Sequence, residues 1–103
     1  PLLYNAVDCC LLTSFTEGSP QFVKEAVACG CPIVSTDVGD VKMLVDNIGN
    51  CFVSTYNVED VIEKLKQAIF KGHLMLTELP KKYTSKYIVN QIHTIYKDIC
   101  KQK

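Results

Sequence analysis

The chain has 103 residues, which is enough for one domain with a single hydrophobic core. Apolar residues make up 48% of it and charged residues 21%, and this ordinary globular composition excludes disordered, collagen-like and low-complexity chains. Eleven lysines balance eleven acidic residues and arginine is absent, so nucleic acid is not an expected partner.

The charge is unevenly distributed along the chain. Residues 1–60 carry two lysines and eight acidic residues, a net charge of −6, whereas residues 81–103 carry six lysines and Asp98, a net charge of +5. Two interpretations of the lysine-rich end stay open. It forms a solvated helix face, or it contacts an acidic surface, either on another domain or on anionic lipid at the inner face of a membrane.

Six cysteines are present, and none of them stands at Cys-x-x-Cys spacing. No pair of histidines has the spacing of a zinc site, so no metal site is predicted. Most of the cysteines lie in or beside apolar runs, where a free thiol behaves as a small core residue. We therefore expect reduced thiols in a cytoplasmic protein without a signal peptide or a membrane-spanning run. The cysteines in apolar runs are Cys9, Cys10, Cys31 and Cys51.

The predicted elements follow from the apolar pattern in chain order. Residues 2–7 are typical of the last turns of a helix already under way, and Pro1 is not a start methionine, so we expect the carboxyl-terminal part of a longer protein. Asp8–Thr13 is a continuous apolar run typical of a strand covered on both faces. A polar loop then leads to a helix over Pro20–Cys29, because proline suits the first helical position.

The middle of the chain continues this alternation. Pro32–Ser35 and Cys51–Ser54 are short apolar runs that predict two further buried strands. Val41–Val45, between them, is predicted to be a short helix with Asp40 as its N-cap residue. Strands separated by helices predict parallel βαβ units with right-handed connections. The expected fold class is therefore α/β, with a Rossmann-like parallel sheet that corresponds to half of a doubly wound domain.

The last third of the chain is predicted to be helical. Apolar residues recur every three or four positions between Asn57 and Gly72, which indicates an amphipathic helix. A helical turn over His73–Leu79 is predicted to end at Pro80. The last helix, residues 84–101, begins at Thr84 or Ser85. We expect it to pack on its own protein, because its isoleucine stripe is too short for a coiled coil. The stripe consists of Ile88, Ile92, Ile95 and Ile99.

No linker divides residues 1–103, so we treat them as one partial domain.

Ligands of open parallel sheets bind outside the carboxyl ends of the strands. The segment Glu17–Glu25 follows the first strand, and its Gly18 lets a ligand approach the backbone closely. The amide groups of residues 21–23 open a helix and favour a phosphate, while Glu17 and Glu25 each carry a carboxylate that can accept hydrogen bonds from vicinal hydroxyls. Two glutamates at this spacing are common, so the pair alone does not decide the function.

A longer set of residues in this region makes the pattern specific. In order, it consists of Asn5-Ala6-Val7-Asp8, Ser14, Glu17-Gly18, Pro20, Glu25-Ala26, Ala28, Gly30, Pro32-Ile33-Val34, Thr36-Asp37 and Gly39. Through these residues the stretch from Asp8 to Val53 resembles the second half of the carboxyl-terminal domain of retaining GT-B glycosyltransferases, the group in which two glutamates are separated by seven residues.

The resemblance implies a role for each matched position. Glu17 is implied to act at the reacting centre, in contact with the donor sugar, and Glu25 to bind the ribose hydroxyls. The implied reaction is transfer of a hexose from a nucleotide-diphosphate sugar with retention, in glycan biosynthesis, without a metal or other cofactor. The remaining implied donor contacts are Gly18, Ser19, Pro20 and Gln21 at the sugar, and Phe22 and Val23 at the distal phosphate.

The resemblance also implies an amino-terminal acceptor domain outside this sequence, towards which the last helix would pack. In the full family domain the first strand is implied to pair with a strand that this sequence lacks, and an open apolar edge favours pairing with another chain. We therefore predict dimerisation or strand exchange through Asp8–Thr13. The chain alone is then expected to lack transferase activity, because stabilising the transition state needs both domains in register. Two alternatives stay open. One is a non-catalytic module that binds nucleotide sugars or another partner, favoured by Met43 where the family often has a glutamate. The other is an epimerase or phosphorylase relative with the same fold.

Overall fold

A computed structural model describes residues 1–75 and 81–101 of the chain. Strands β1 (Cys10–Leu12), β2 (Ile33–Thr36) and β3 (Cys51–Ser54) form one parallel sheet in the order β1-β2-β3. Helices precede, separate and follow the strands, which confirms the predicted α/β fold with a Rossmann-like parallel sheet. The helical elements are α1 (Leu2–Ala6), α2 (Gln21–Ala28), α3 (Val41–Val45), α4 (Val58–Lys71), a 3-10 turn (Lys81–Tyr83) and α5 (Ser85–Lys101).

The core lies between the sheet and helices α2 and α3. Ile33 of β2, Val27 of α2 and Leu44 of α3 are fully covered and belong to one apolar cluster. Val34 is just as buried but lies outside that cluster, because successive residues of a strand point to opposite faces of a sheet. Helix α4 packs against β2 and β3. The central strand is therefore covered on both faces, as its continuous apolar run predicted.

Strand β1 differs from this prediction. Leu11, in the middle of the strand, is 43% exposed, while Cys10 beside it is buried. The reason is position: β1 is the edge of the sheet, and α4 packs mainly on the other two strands. No strand among the described residues pairs with its outer edge. Pairing of that edge with a second chain stays a prediction.

Helix α4 begins and ends where the sequence pattern indicated. The side-chain oxygen of Asn57 accepts hydrogen bonds from the backbone N–H groups of Glu59 and Asp60, at 2.8 and 3.2 Å. These are two of the amides that a helix leaves without an internal partner. The helix ends at Gly72, whose φ of +66° favours glycine.

Helix α5 behaves differently from the rest of the chain. Its predicted cap is present, since the Thr84 hydroxyl accepts the Tyr87 N–H at 3.3 Å. None of its residues is buried, and its four stripe isoleucines are 47–58% exposed. The described residues therefore do not cover the isoleucine stripe, and packing of α5 on a part of the protein outside this sequence stays a prediction. Tyr83, just before the helix, does pack against the core.

The connection between α4 and α5 is only partly described. Residues 73–75 have no helical structure, and residues 76–80 lie outside the described residues, so most of the helical turn predicted over His73–Leu79 is untested. Across residues 1–75 and 81–101, no helix has the length and apolar character needed to cross a membrane.

Candidate functional site

The loop after β1 and the loop after β2 are joined by hydrogen bonds at the carboxyl ends of these strands. We call the joined segment, Gly18–Ser19 with Gly39–Asp40, the rim. The Asp40 N–H donates to the Gly18 carbonyl at 3.2 Å, and the Ser19 hydroxyl donates to Oδ2 of Asp40 at 2.6 Å. Gly39 has a φ of +55°, and a Cβ at that position would lie 2.0 Å from the Gly18 carbonyl oxygen. Only glycine permits this approach, so Gly39 allows the two loops to meet.

Helix α2 starts at this rim with an open amino end. Its N-cap residue, Pro20, makes no side-chain cap bond, and its first turn holds no acidic residue. Gln21 and Phe22 are exposed, whereas Val23 faces the core. In the described part of the chain no group accepts a hydrogen bond from the amides of residues 21–23. These amides and the helix dipole are available to an anion from outside the chain.

Glu17 lies in the loop that precedes α2 and is held by a neighbour. The Ser14 hydroxyl donates to Oε1 of Glu17 at 2.8 Å. The carbonyl of Ser14 accepts hydrogen bonds from the Thr36 hydroxyl at 2.6 Å and from the Tyr56 hydroxyl at 3.2 Å. Ser14 therefore fixes the orientation of Glu17 and is itself fixed by Thr36, the last residue of β2, and by Tyr56, which follows β3.

Glu25 lies in α2 and is exposed, and it too is held by one hydroxyl. The Tyr4 hydroxyl donates to Oε2 of Glu25 at 2.7 Å, and the Tyr4 ring packs against Phe22 with centroids 6.0 Å apart. The hydrogen bond to the carboxylate is the main reason that the pKa of Tyr4 is raised to about 12. Sequence analysis gave Tyr4 no role, because nothing in the local pattern links it to a residue 21 positions away.

The two glutamates occupy different surroundings. Phe22 and Glu25 line an open, mainly apolar cavity of about 830 Å³ between α1, β1 and α2, and Glu17 is not among its lining residues. Gly18 and Ser19 lie instead at the rim with Asp40. The predicted donor contacts thus form two neighbouring groups, one at the rim and one at the cavity, with the start of α2 between them.

Asp40 occupies its predicted N-cap position before α3 but makes no side-chain cap bond. Its Oδ2 accepts the Ser19 hydroxyl, and its Oδ1 is buried without a hydrogen-bond partner among the described residues. Asp40 therefore connects the two loops instead of capping α3, and sequence analysis did not predict this role. An Asp followed by a predicted helix looks the same in sequence whether its carboxylate caps the helix or bonds elsewhere.

Three of the six cysteines belong to the core, whereas Cys9 and Cys29 are half-buried and Cys100 is exposed. Cys10, Cys31 and Cys51 are buried as predicted, and the sulfur atoms of Cys10 and Cys31 are 3.6 Å apart. Desolvation raises the pKa of Cys31 to about 12 and that of Cys51 to about 11. Among the described residues, no group of three or more His, Cys, Asp or Glu side chains could hold a metal ion.

Comparison with known proteins gives one match. A family model described as glycosyl transferases group 1 matches residues 1–70, which run from α1 to the end of α4 and include both loops of the rim and the whole of α2. No curated protein and no solved structure matches the chain. Since the matched residues make up more than half of the sequence and carry its entire sheet, the chain belongs to the glycosyl transferases group 1 family.

Proposed function

We propose that this chain supplies the donor side of a retaining glycosyl transfer, in which a hexose leaves a nucleotide-diphosphate sugar. The diphosphate lies at the amino end of α2, Glu25 binds the ribose, and Glu17 binds the transferred sugar near the reacting carbon. Gly18, Ser19, Pro20 and Gln21 line that sugar. The observation that carries the proposal is the open amino end of α2 between two glutamates that are each held by one hydroxyl.

The open helix end suits a diphosphate for electrostatic reasons. An α-helix carries about half a positive charge at its amino end, concentrated on amides without internal partners. In α2 neither a cap side chain nor an acidic first-turn residue offsets that charge. Phe22 and Val23 therefore offer backbone donors to the distal phosphate. A neutral ligand would gain only the hydrogen bonds, and a cationic ligand would be repelled by the positive end of the helix.

The glutamates are suited to bind hydroxyl groups because only one oxygen of each carboxylate accepts a hydrogen bond from the described residues. Tyr4 donates to Oε2 of Glu25 and Ser14 donates to Oε1 of Glu17, so the second oxygen of each remains available as an acceptor. A hydrogen bond to a charged carboxylate contributes about 1.5–3 kcal/mol. The existing bond also orients each carboxylate before a ligand arrives, which lowers the entropy lost on binding.

The reaction follows from this placement. The bond between the anomeric carbon and the diphosphate oxygen breaks, and the acceptor hydroxyl oxygen bonds to the same face of that carbon. The hydroxyl proton is taken up by the departing diphosphate. Negative charge grows on the diphosphate as the bond breaks, and the amino end of α2 stabilises it there. The proposal assigns no step to a metal ion.

Ligand-observed NMR titration of the chain with UDP, GDP and ADP, and with a sugar nucleotide of each base, tests the proposal. Dissociation constants on the order of 1 mM are expected for the nucleotide that fits. We expect Glu25→Gln to weaken the nucleoside diphosphate and the sugar nucleotide alike, by about tenfold or more, since one charged hydrogen bond is lost. Glu17→Gln should weaken only the sugar nucleotide.

Glu63→Gln is the matched control, because Glu63 is an exposed helical glutamate on α4 that accepts a hydrogen bond from the Gln67 side chain at 3.2 Å and lies outside the proposed site. It should leave every affinity unchanged. The proposal is contradicted if no nucleotide binds the wild-type chain. Equal weakening of a nucleoside diphosphate by Glu17→Gln and Glu25→Gln would contradict the division of roles between them.

A further inference from the structure

A second, smaller cavity of about 350 Å³ opens at the carboxyl ends of the strands, between the loop after β1 and the start of α4. Its size lies at the lower end of the range for small-molecule sites, so it suits a single ring better than an extended ligand. Neither Glu17 nor Glu25 lines it. The lining residues used below are Phe15, Tyr56, Thr13, Thr36 and Thr55.

Two aromatic rings form one wall of this cavity. Phe15 and Tyr56 are stacked, with centroids 5.0 Å apart and planes at 14° to each other. Phe15 is nevertheless 85% exposed and Tyr56 54% exposed. The Tyr56 hydroxyl donates to the carbonyl of Ser14 at 3.2 Å and lies 3.5 Å from that of Phe15. The rings are therefore held in place at the surface without being used to fill the core.

Three threonines and three aliphatic residues, Val58, Val61 and Ile62, complete the lining around the aromatic pair. Thr13, Thr36 and Thr55 line the same cavity. The Thr36 side chain is buried and its hydroxyl donates to Ser14, while the Thr55 hydroxyl donates to Asp60 and accepts the Asn57 N–H at 3.3 Å. Thr13 and Thr55 are exposed, so their hydroxyls are the ones that a ligand can reach. An aromatic face has a negative potential that attracts C–H groups, and hydroxyls bond to other hydroxyls. A sugar ring presents both, with C–H groups on its face and hydroxyls on its edge.

We propose that this cavity binds one pyranose ring of a saccharide acceptor, with Phe15 and Tyr56 as the stacking platform. That the ring belongs to the acceptor, and not to some other saccharide, rests on the proposed donor function. Ser14 connects the aromatic pair to the donor side of the site. Its hydroxyl donates to Glu17, and its carbonyl accepts the hydroxyl of Tyr56. The platform and the glutamate assigned to the donor sugar are thus joined through a single residue.

Titration of the chain with methyl α-glucopyranoside, methyl α-mannopyranoside and methyl β-galactopyranoside tests the proposal. We expect at least one of them to shift the ring signals of Phe15 and Tyr56 and the methyl signals of Thr13 and Thr55, with a dissociation constant on the order of a few millimolar. Saturation transfer should be strongest to the C–H protons on one face of the sugar. No shift of these signals by any of the three probes overturns the proposal.

Variants at the platform locate the binding. Phe15→Ala should reduce the affinity by about tenfold or more, and Phe15→Tyr should retain it because the stacking face is kept. Phe70→Ala is the control, since Phe70 is 91% exposed on α4 but does not line the cavity. Backbone amide spectra establish that each variant is folded. Equal effects of Phe15→Ala and Phe70→Ala would contradict the proposal, as would stronger binding by free uridine than by any saccharide.

The outcomes separate this proposal from the donor proposal. If saccharides bind the platform while no nucleotide affects α2, the donor function fails and a saccharide site remains. If nucleotides bind α2 while saccharides leave Phe15 unaffected, the platform fails alone. Displacement of the saccharide by UDP would mean that both ligands occupy one subsite. That result would overturn the identification of the cavity as an acceptor site.

Discussion

Helices α2 and α4 both follow a parallel strand, yet their amino ends differ. At α4 the Asn57 side chain accepts two opening amides, and Glu59 and Asp60 place negative charge in the first turn. Within the described residues no side chain caps α2, and its first turn holds no acidic residue. One helix end is thus completed by the chain's own side chains and the other is left open.

The two helix ends are expected to respond differently to substitution, one in protein stability and the other in ligand affinity. The cap of α4 stabilises the helix without any ligand. Glu17 is held by a hydroxyl of its own loop and Glu25, within α2, by a hydroxyl of α1, so both carboxylates are fixed while the opening amides of α2 stay open. Substitutions at α4 should therefore change stability, and substitutions around α2 should change ligand affinity, unless they alter the rim itself.

The largest stability effect is expected at the rim. Gly39→Ala introduces a Cβ 2.0 Å from the Gly18 carbonyl oxygen at a φ of +55°, so the loops must separate. We expect a loss of about 2–4 kcal/mol in the free energy of unfolding, measured by urea denaturation. Gly49→Ala is the control, because nothing lies within 4 Å of a Cβ there. A loss below about 0.5 kcal/mol for Gly39→Ala would show that the two loops are not tightly joined.

A smaller effect is expected at the capped helix. Asn57→Ala removes the acceptor of the Glu59 and Asp60 amides, and we expect it to lower the free energy of unfolding by about 1 kcal/mol. Asn57→Asp should retain most of the stability, because aspartate is an equally good cap. Nucleotide affinity should be the same in both variants. If Asn57→Ala weakens nucleotide binding more than Glu25→Gln does, the distinction between the two helix ends is lost.

The smallest effect concerns Tyr4 and is observed at high pH. Hydrogen bonding to Glu25 raises the pKa of Tyr4 to about 12, above the usual value of about 10 for tyrosine. The stabilisation that accompanies this shift is fully present below pH 10 and is lost as the pH rises through about 12. In a tyrosinate absorbance titration, Glu25→Gln should move one of the five tyrosines to lower pH.

Tyr4→Phe should remove the same component from that titration, whereas Glu63→Gln should leave it in place. An unchanged titration curve for Glu25→Gln would mean that the hydroxyl does not hold the carboxylate.

Much of this arrangement is visible in the sequence because it is local. The apolar runs predicted the three strands, and the Asn57 and Gly72 positions marked the ends of α4. The ordered matches around Glu17 and Glu25 indicated the family that the comparison then found. In each case the signal is a residue type at a short, fixed spacing.

The contacts that sequence analysis missed are all distant in the chain. Tyr4 reaches Glu25 and Ser19 reaches Asp40 across 21 positions, and Tyr56 reaches Ser14 across 42. Periodicity does not encode such pairs, because they depend on how separate elements are brought together. Helix α5 is a different case: its isoleucine stripe predicts a packing surface that the described residues do not cover, so this prediction stays untested.

The central claim is that the amino end of α2 binds a diphosphate, and the amide shifts of the ¹⁵N-labelled chain test it most directly. On titration with UDP, GDP, ADP and inorganic pyrophosphate, the amides of residues 21–23 should shift most, while those of Glu59 and Asp60 at the capped end of α4 should stay in place. Equal shifts at the two helix ends, or none at residues 21–23 with any of the four ligands, would contradict the account.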